Sequence, residues 1–157
     1  MQKITPCLWF YTEGEEAAQF YTSVFSNSRI VETTRYGSAG PRDEGTVMTV
    51  LFELDGQRFM ALNGGPDFKF NEAISFSVDC ETQEEVDAYW NALTDGGEEG
   101  PCGWLKDRYG VSWQIVPKVL GELISDPDQA KAQRVMAAML KMGKIEVAEL
   151  ERAAAEG

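Results

Sequence analysis

Thr46-Val47-Met48-Thr49-Val50-Leu51-Phe52-Glu53-Leu54-Asp55-Gly56-Gln57-Arg58-Phe59-Met60-Ala61-Leu62 is the stretch from which the fold can be read. Its first half is rich in β-branched and large apolar residues and predicts a strand over 46–54. Asp55-Gly56 then reads as a tight hairpin turn, because glycine tolerates the positive φ such turns require. Gln57 to Leu62 is the returning strand, and Asn63-Gly64-Gly65-Pro66 breaks the chain after it.

Upstream, Ile4 to Phe10 reads as a strand and Tyr11-Thr12-Glu13-Gly14 as a turn in which Thr12 caps the next helix. Ala17, Phe20, Tyr21, Val24 and Phe25 recur at helical spacing, and Arg29 to Tyr36 reads as a second strand. Downstream the order begins again. Ala73 to Val78 reads as a strand, and Thr82 caps a helix carrying Val86, Tyr89, Trp90 and Leu93. A loop and short strand run through Gly103-Trp104-Leu105-Lys106, Asp107 to Gly110 turn, and Val111 to Val116 closes the series.

A shift along the chain exposes the repetition: Glu16 falls on Glu84, Ala18 on Val86, Tyr21 on Tyr89, Val24 on Ala92 and Phe25 on Leu93. The economical reading is an internal repeat of a βαβββ module. The expected fold is α+β, with one module over residues 1–71, a second over 72–117 and a helical C-terminal extension over 118–157. Alone, each module leaves one face of a small sheet uncovered. Two joined sheets would share a concave surface, the default place for a ligand. Val135, Met136, Met139 and Leu140 lie on one face of the extension, which either packs on its own domain or covers a second subunit.

Composition removes whole classes of function. Fourteen basic residues against 26 acidic ones give a net charge of -12, and no cluster of four Lys or Arg offsets it, so nucleic acid is not an expected partner. No run approaches the roughly 18 apolar residues of a membrane span, and no signal segment precedes the first strand, so the expected location is cytoplasmic. Cys7, Cys80 and Cys102 form no paired motif and do not suggest disulfides. Histidine is absent altogether, which removes the side chain best suited to proton transfer near neutral pH and the commonest transition-metal ligand.

Thr5-Pro6-Cys7-Leu8-Trp9-Phe10, the helix around Ala18-Gln19-Phe20-Tyr21, the run from Phe52 to Gly65, and Cys102-Gly103-Trp104-Leu105-Lys106-Asp107 through Trp113-Gln114-Ile115-Val116-Pro117 carry a resemblance. The chain resembles the PhnB-like branch of the glyoxalase/bleomycin-resistance/dioxygenase (vicinal oxygen chelate) superfamily, whose members are often called 3-demethylubiquinone-9 3-methyltransferase-like. That resemblance implies paired βαβββ modules and a homodimer. In the metal-dependent members it also implies a divalent ion held by one residue from each of four strands. Carried over, those positions are Thr5, Met60 or Ala61, Ala73 and Gln114. Two neutral oxygens, a thioether or methyl, and a second methyl form a poor donor set, so no metal and no cofactor are expected. A methyl donor would ordinarily rest on a glycine-rich strand–helix turn, and Asn63-Gly64-Gly65-Pro66 leads into a loop instead.

Strand alternation puts Thr5, Cys7 and Trp9 on one face, with Gln114 and Ser112 sharing a face of the last strand. Asn63, Phe68, Phe70, Trp104 and Lys106 would form a rim. Such a pocket suits a small aromatic or mixed-polarity molecule; alternatively Trp9, Phe59 and Trp113 simply fill the centre. Cys102 is the candidate for chemistry, as a thiol whose pKa Lys106 depresses, or it is a passive cysteine. The leading expectation is a metal-free small-molecule binding protein. The alternative is a PhnB-like enzyme acting on a small cytoplasmic metabolite.

Overall fold

The computed structural model describes residues 2–156, which form two compact units, one ending at Phe70 and the next beginning at Asn71. The first runs β1 (Cys7–Phe10), α1 (Gly14–Val24), β2 (Arg29–Arg35), β3 (Val47–Leu54) and β4 (Gln57–Asn63). Its sheet has the order β1-β4-β3-β2, with β1 parallel to β4 and the other pairs antiparallel. The second runs β5 (Ser75–Cys80), α2 (Gln83–Thr94), β6 (Glu98–Glu99), β7 (Trp104–Lys106) and β8 (Ser112–Pro117), and its sheet has the corresponding order β5-β8-β7-β6. Both modules are therefore βαβββ. Three helices follow: α3 (Lys118–Ile124), α4 (Gln129–Met139) and α5 (Val147–Ala155). Among the described residues no helix is long and apolar enough to cross a membrane.

Each sheet buries the face under its helix. In the first unit Leu8, Phe10, Val50, Phe52, Phe59 and Ala61 meet Ala17, Ala18 and Tyr21 of α1, and the Tyr21, Phe52 and Phe59 rings stack in series at 6.2 and 5.6 Å. Full burial of a large apolar side chain is worth about 1.5–3 kcal/mol, so this face supplies the unit's main cohesion. The hairpin turn is as expected, with Asp55 at φ 47° and Gly56 at φ 80°. Ile30 and Val31 lie on the edge strand β2 and remain 38% and 39% exposed. In the second unit Val86, Trp90 and Leu93 of α2 cover Leu105, Trp113 and Ile115.

Several local expectations shift. The first strand begins at Cys7 rather than Ile4, since Pro6 has no N–H for the ladder; its carbonyl still accepts from Met60 N at 2.9 Å. Ala73 stands in a turn ahead of β5, because Asn71 Oδ1 accepts from Ala73 N at 2.9 Å and delays the strand to Ser75. Thr82 caps α2 as expected, its side chain accepting from Glu85 N. Thr12 does not cap α1. That helix opens at Gly14, whose N–H donates to Asn63 Oδ1 at 2.7 Å from the end of β4. Glu98 and Glu99, read as loop, form the short edge strand β6 against β7.

The C-terminal helices belong to the second unit. Leu120, Val135, Ile145 and Leu150 form their own buried cluster, flanked by Val116 of β8 and by Met139 and Met142. Gln83 of α2 fastens them, donating to Ile145 O at 3.0 Å and accepting from Val147 N at 2.7 Å. Lys144 adds an ion pair to Asp87 at 2.7 Å.

Candidate functional site

The face of the second sheet turned away from α2 is polar. Strand pairing sets Ser112 beside Ser75 and Lys106, and Gln114 beside Ser77 and Trp104. Gln114 Nε2 donates to Ser75 Oγ at 2.9 Å. Leu105, Trp113 and Ile115 point the other way, into the core. Asp107 ends β7 with a buried carboxylate that accepts from Val111 N, Tyr109 N and Trp113 Nε1, fixing the turn into β8.

At the β6–β7 edge of this face lies a cavity of about 420 Å³, lined by Glu72, Glu98, Glu99, Gly100, Pro101, Cys102, Trp104, Leu105, Lys106 and Ser112. Lys106 and Cys102, the two residues expected to carry chemistry, are both in its wall. Lys106 Nζ meets Glu72 Oε1 at 2.6 Å. That hydrogen bond, then the charge behind it, lowers the Glu72 carboxyl from its ordinary value and raises the Lys106 ammonium. The lysine charge is thus paired with a carboxylate. Glu98, paired opposite Lys106, adds a second carboxylate, and Glu99 Oε1 accepts from Trp90 Nε1 at 2.6 Å. Ser112 Oγ, in the same wall, is 1% exposed as a residue and has no hydrogen-bond partner among the described residues.

Cys102 sits at φ 57°, an uncommon backbone for a side chain, between two anchors. Its N–H donates to Met142 O and that of Gly103 to Gly143 O, both at 2.8 Å. The α4–α5 connection thereby holds the cavity wall. Cys80, in contrast, is buried, and its thiol is pushed up to about 12, chiefly by desolvation, with Glu85 and Asp79 adding to the effect.

The expected ligand residues of the first unit are arranged differently. Trp9 is half-buried and Cys7 exposed on the face away from α1, opposite Leu62 and Met60 of β4. Phe68, 65% exposed, meets the Trp9 ring edge-on at 4.8 Å, and Trp9 Nε1 donates to Gly65 O at 2.9 Å. Phe70 packs against Phe10 at 5.3 Å, and Thr5 precedes the strand, half-buried. Asn63 is 8% exposed and its amide is committed, accepting from Gly14 N and donating to Val47 O at 3.2 Å. Its carbonyl accepts from Tyr36 Oη at 2.6 Å. It clamps α1 and β3 to the end of β4 while still lining a hollow on that side. A hollow of about 360 Å³ beside it, near Tyr11, Tyr36 and Arg42, has Arg42 over the Tyr11 ring at 5.2 Å.

The family-type metal positions fail on donor chemistry. Ala61 is under α1 at 1% exposure, so Met60, level with Cys7, is the position on the outer face, and it brings only a thioether. Ala73 brings a methyl, and Thr5 and Gln114 bring neutral oxygens. Among the described residues no three His, Cys, Asp or Glu side chains cluster as an ion would need. These residues do not fit a first-row divalent ion.

Sequence reasoning picked out Trp104, Lys106 and Cys102 but missed Glu72, Glu98 and Glu99. The signal available was Glu98-Glu99 set between Gly96-Gly97 and Gly100, an acidic pair held at a strand edge.

Residues 2–116 match the family model described as 3-demethylubiquinone-9 3-methyltransferase. A PhnB protein from Bacillus cereus is 42% identical, with a TM-score of 0.66, over 74% of this chain and 99% of its own. A protein from Pseudomonas aeruginosa is 22% identical, at a TM-score of 0.64, over 74% of this chain and 98% of its own. The fosfomycin resistance protein FosX from Mesorhizobium loti, 13% identical at 0.56 over 80% of this chain and 100% of its own, shares the fold. No curated protein sequence matches.

Proposed function

Since the chain belongs to the 3-demethylubiquinone-9 3-methyltransferase family, the PhnB-like branch of the glyoxalase/bleomycin-resistance superfamily, we propose that it is an enzyme that converts a small metabolite in the cavity of its second unit. One observation carries this reading: Cys102, Trp104 and Lys106 line the same cavity as the buried, unpartnered Ser112 hydroxyl. Leaving such a hydroxyl without a partner costs about 1–3 kcal/mol, which a bound group at hydrogen-bonding distance recovers. Trp104 and Pro101 supply an apolar wall for the ligand body.

The chemistry open to this wall is polarisation and orientation by side chains. Glu72 and Lys106 form a carboxylate–ammonium pair in it, able to orient and polarise a polar group of the substrate. The family's name also supports a second reading, methyl transfer to a phenol. No glycine-rich turn leads into α1 or α2 as a resting place for a methyl donor: Glu13 precedes α1 and Thr82 precedes α2. Simple sequestration, the leading expectation from the missing metal ligands, is the outcome against which turnover is tested.

Incubation of the protein with a small-metabolite extract, followed by mass spectrometry, separates these readings. Turnover depletes at least one compound far beyond one equivalent per chain, and Lys106→Ala slows the depletion. Recovery of a retained molecule unchanged, at no more than one per chain, would refute catalysis. Depletion only when S-adenosylmethionine is added would favour methyl transfer.

A further inference from the structure

We infer that the cavity of the second unit selects by charge, taking a flat aromatic molecule that is neutral or singly cationic and turning anions away. The inference rests on the reading that this cavity is the ligand site. Two carboxylates, Glu72 and Glu98, flank a single ammonium, Lys106, in its wall, while the Glu99 carboxylate accepts from Trp90 Nε1 on the α2 side of the sheet. That ammonium is already neutralised by Glu72 at 2.6 Å, with Glu98 across the strand pair from it. An entering carboxylate or phosphate would therefore find no uncommitted cation among the lining residues and one further negative charge, on Glu98. The protein's net charge of -12 adds to the same repulsion at long range.

The rest of the wall describes the body of the ligand. Trp104 is half-buried and gives an aromatic surface, against which a ring stacks or an ammonium lies favourably. Ser112 Oγ, buried and without a partner, calls for one hydrogen-bonding group on the ligand. A hydroxyl or an amine meets that demand without bringing negative charge. Glu98 of β6 and the Glu72–Lys106 pair thus act together as a filter, while the serine fixes orientation.

A matched series tests this: phenethylamine, 2-phenylethanol and phenylacetate share one ring and differ in charge. Each is titrated into the full chain while amide shifts of residues 100–106 and the Trp104 indole signal are followed by NMR. Phenethylamine and 2-phenylethanol are expected to shift these signals, with phenylacetate at least about tenfold weaker. Glu98→Gln, on an exposed edge strand, is expected to narrow that gap, as is raising the salt concentration. Ser112→Ala is expected to weaken 2-phenylethanol about fivefold. Phenylacetate binding at these residues as tightly as phenethylamine would overturn the charge filter while leaving the cavity as a candidate for turnover. If none of the three moves these signals, the aromatic class is wrong, whatever the extract experiment reveals about catalysis.

Discussion

Replacing Asn63 by alanine is a sharp test of how the first unit is held together. Its Oδ1 is the partner of Gly14 N, and its Nδ2 donates to Val47 O, at the junction of α1, β3 and β4. Truncation leaves a buried helix-terminal N–H without an acceptor, at a cost of about 1–3 kcal/mol, and removes a second bond worth about 0.5–1.5. The expected loss is about 2–4 kcal/mol. At about 2–4 °C per kcal/mol for a chain of this size, the melting temperature should fall by roughly 4–16 °C. Asn63→Asp keeps the acceptor, and a negative charge suits a helix N-terminus, so about half the loss should return. Gly14 is tied to the same contact: a Cβ there would lie 2.6 Å from Asn63 Oδ1 and 3.3 Å from Ala61 Cβ. Gly14→Ala should therefore be costly in the native chain and much milder beside Asn63→Ala, a coupling that a double-mutant cycle measures. Calorimetric melting of the four proteins is the assay. A change under about 2 °C for Asn63→Ala, or strict additivity with Gly14→Ala, would refute the clamp.

Ser112→Ala should act in the opposite direction on stability, raising the urea midpoint by the equivalent of about 1 kcal/mol, since it removes an unsatisfied buried hydroxyl. Ile145→Ala empties a fully buried position in the C-terminal cluster and should cost about 2–5 kcal/mol by chemical denaturation. Hydrogen exchange at the Cys102 and Gly103 amides should quicken with it, because their acceptors lie on the adjoining Met142 and Gly143. Asp87 is held below its ordinary value by hydrogen bonds from Lys144 and then Gln83, and Lys144 is raised by Asp87. The Asp87 contribution is therefore present above its unfolded pKa of about 3.9 and fades as pH falls through the folded value. The Lys144 contribution is present below about 10.4 and fades as pH rises through its raised value. Urea midpoints across pH should show an acid decline that Asp87→Asn reduces.

From the amino-acid order alone follow the two βαβββ modules, the Asp55-Gly56 turn, the Thr82 cap, the helical extension and the poor metal donor set. Each depends on residues close in the chain or on the chemistry of single side chains, which a linear reading resolves. Even the edge strand β6 escaped that reading, since two glutamates carry no strand pattern and pair only because β7 runs beside them. Asn63 reads as a rim residue for a ligand; only folding brings Gly14 to it across 49 positions and gives its amide a structural partner as well. Lys106 and Cys102 are neighbours in sequence, yet the ion partner of Lys106 is Glu72, delivered from ahead of β5. Ser112 became informative for the same reason. Whether a hydroxyl is solvated, bonded or left waiting in a wall depends on what the tertiary packing sets around it, and no residue pattern records that.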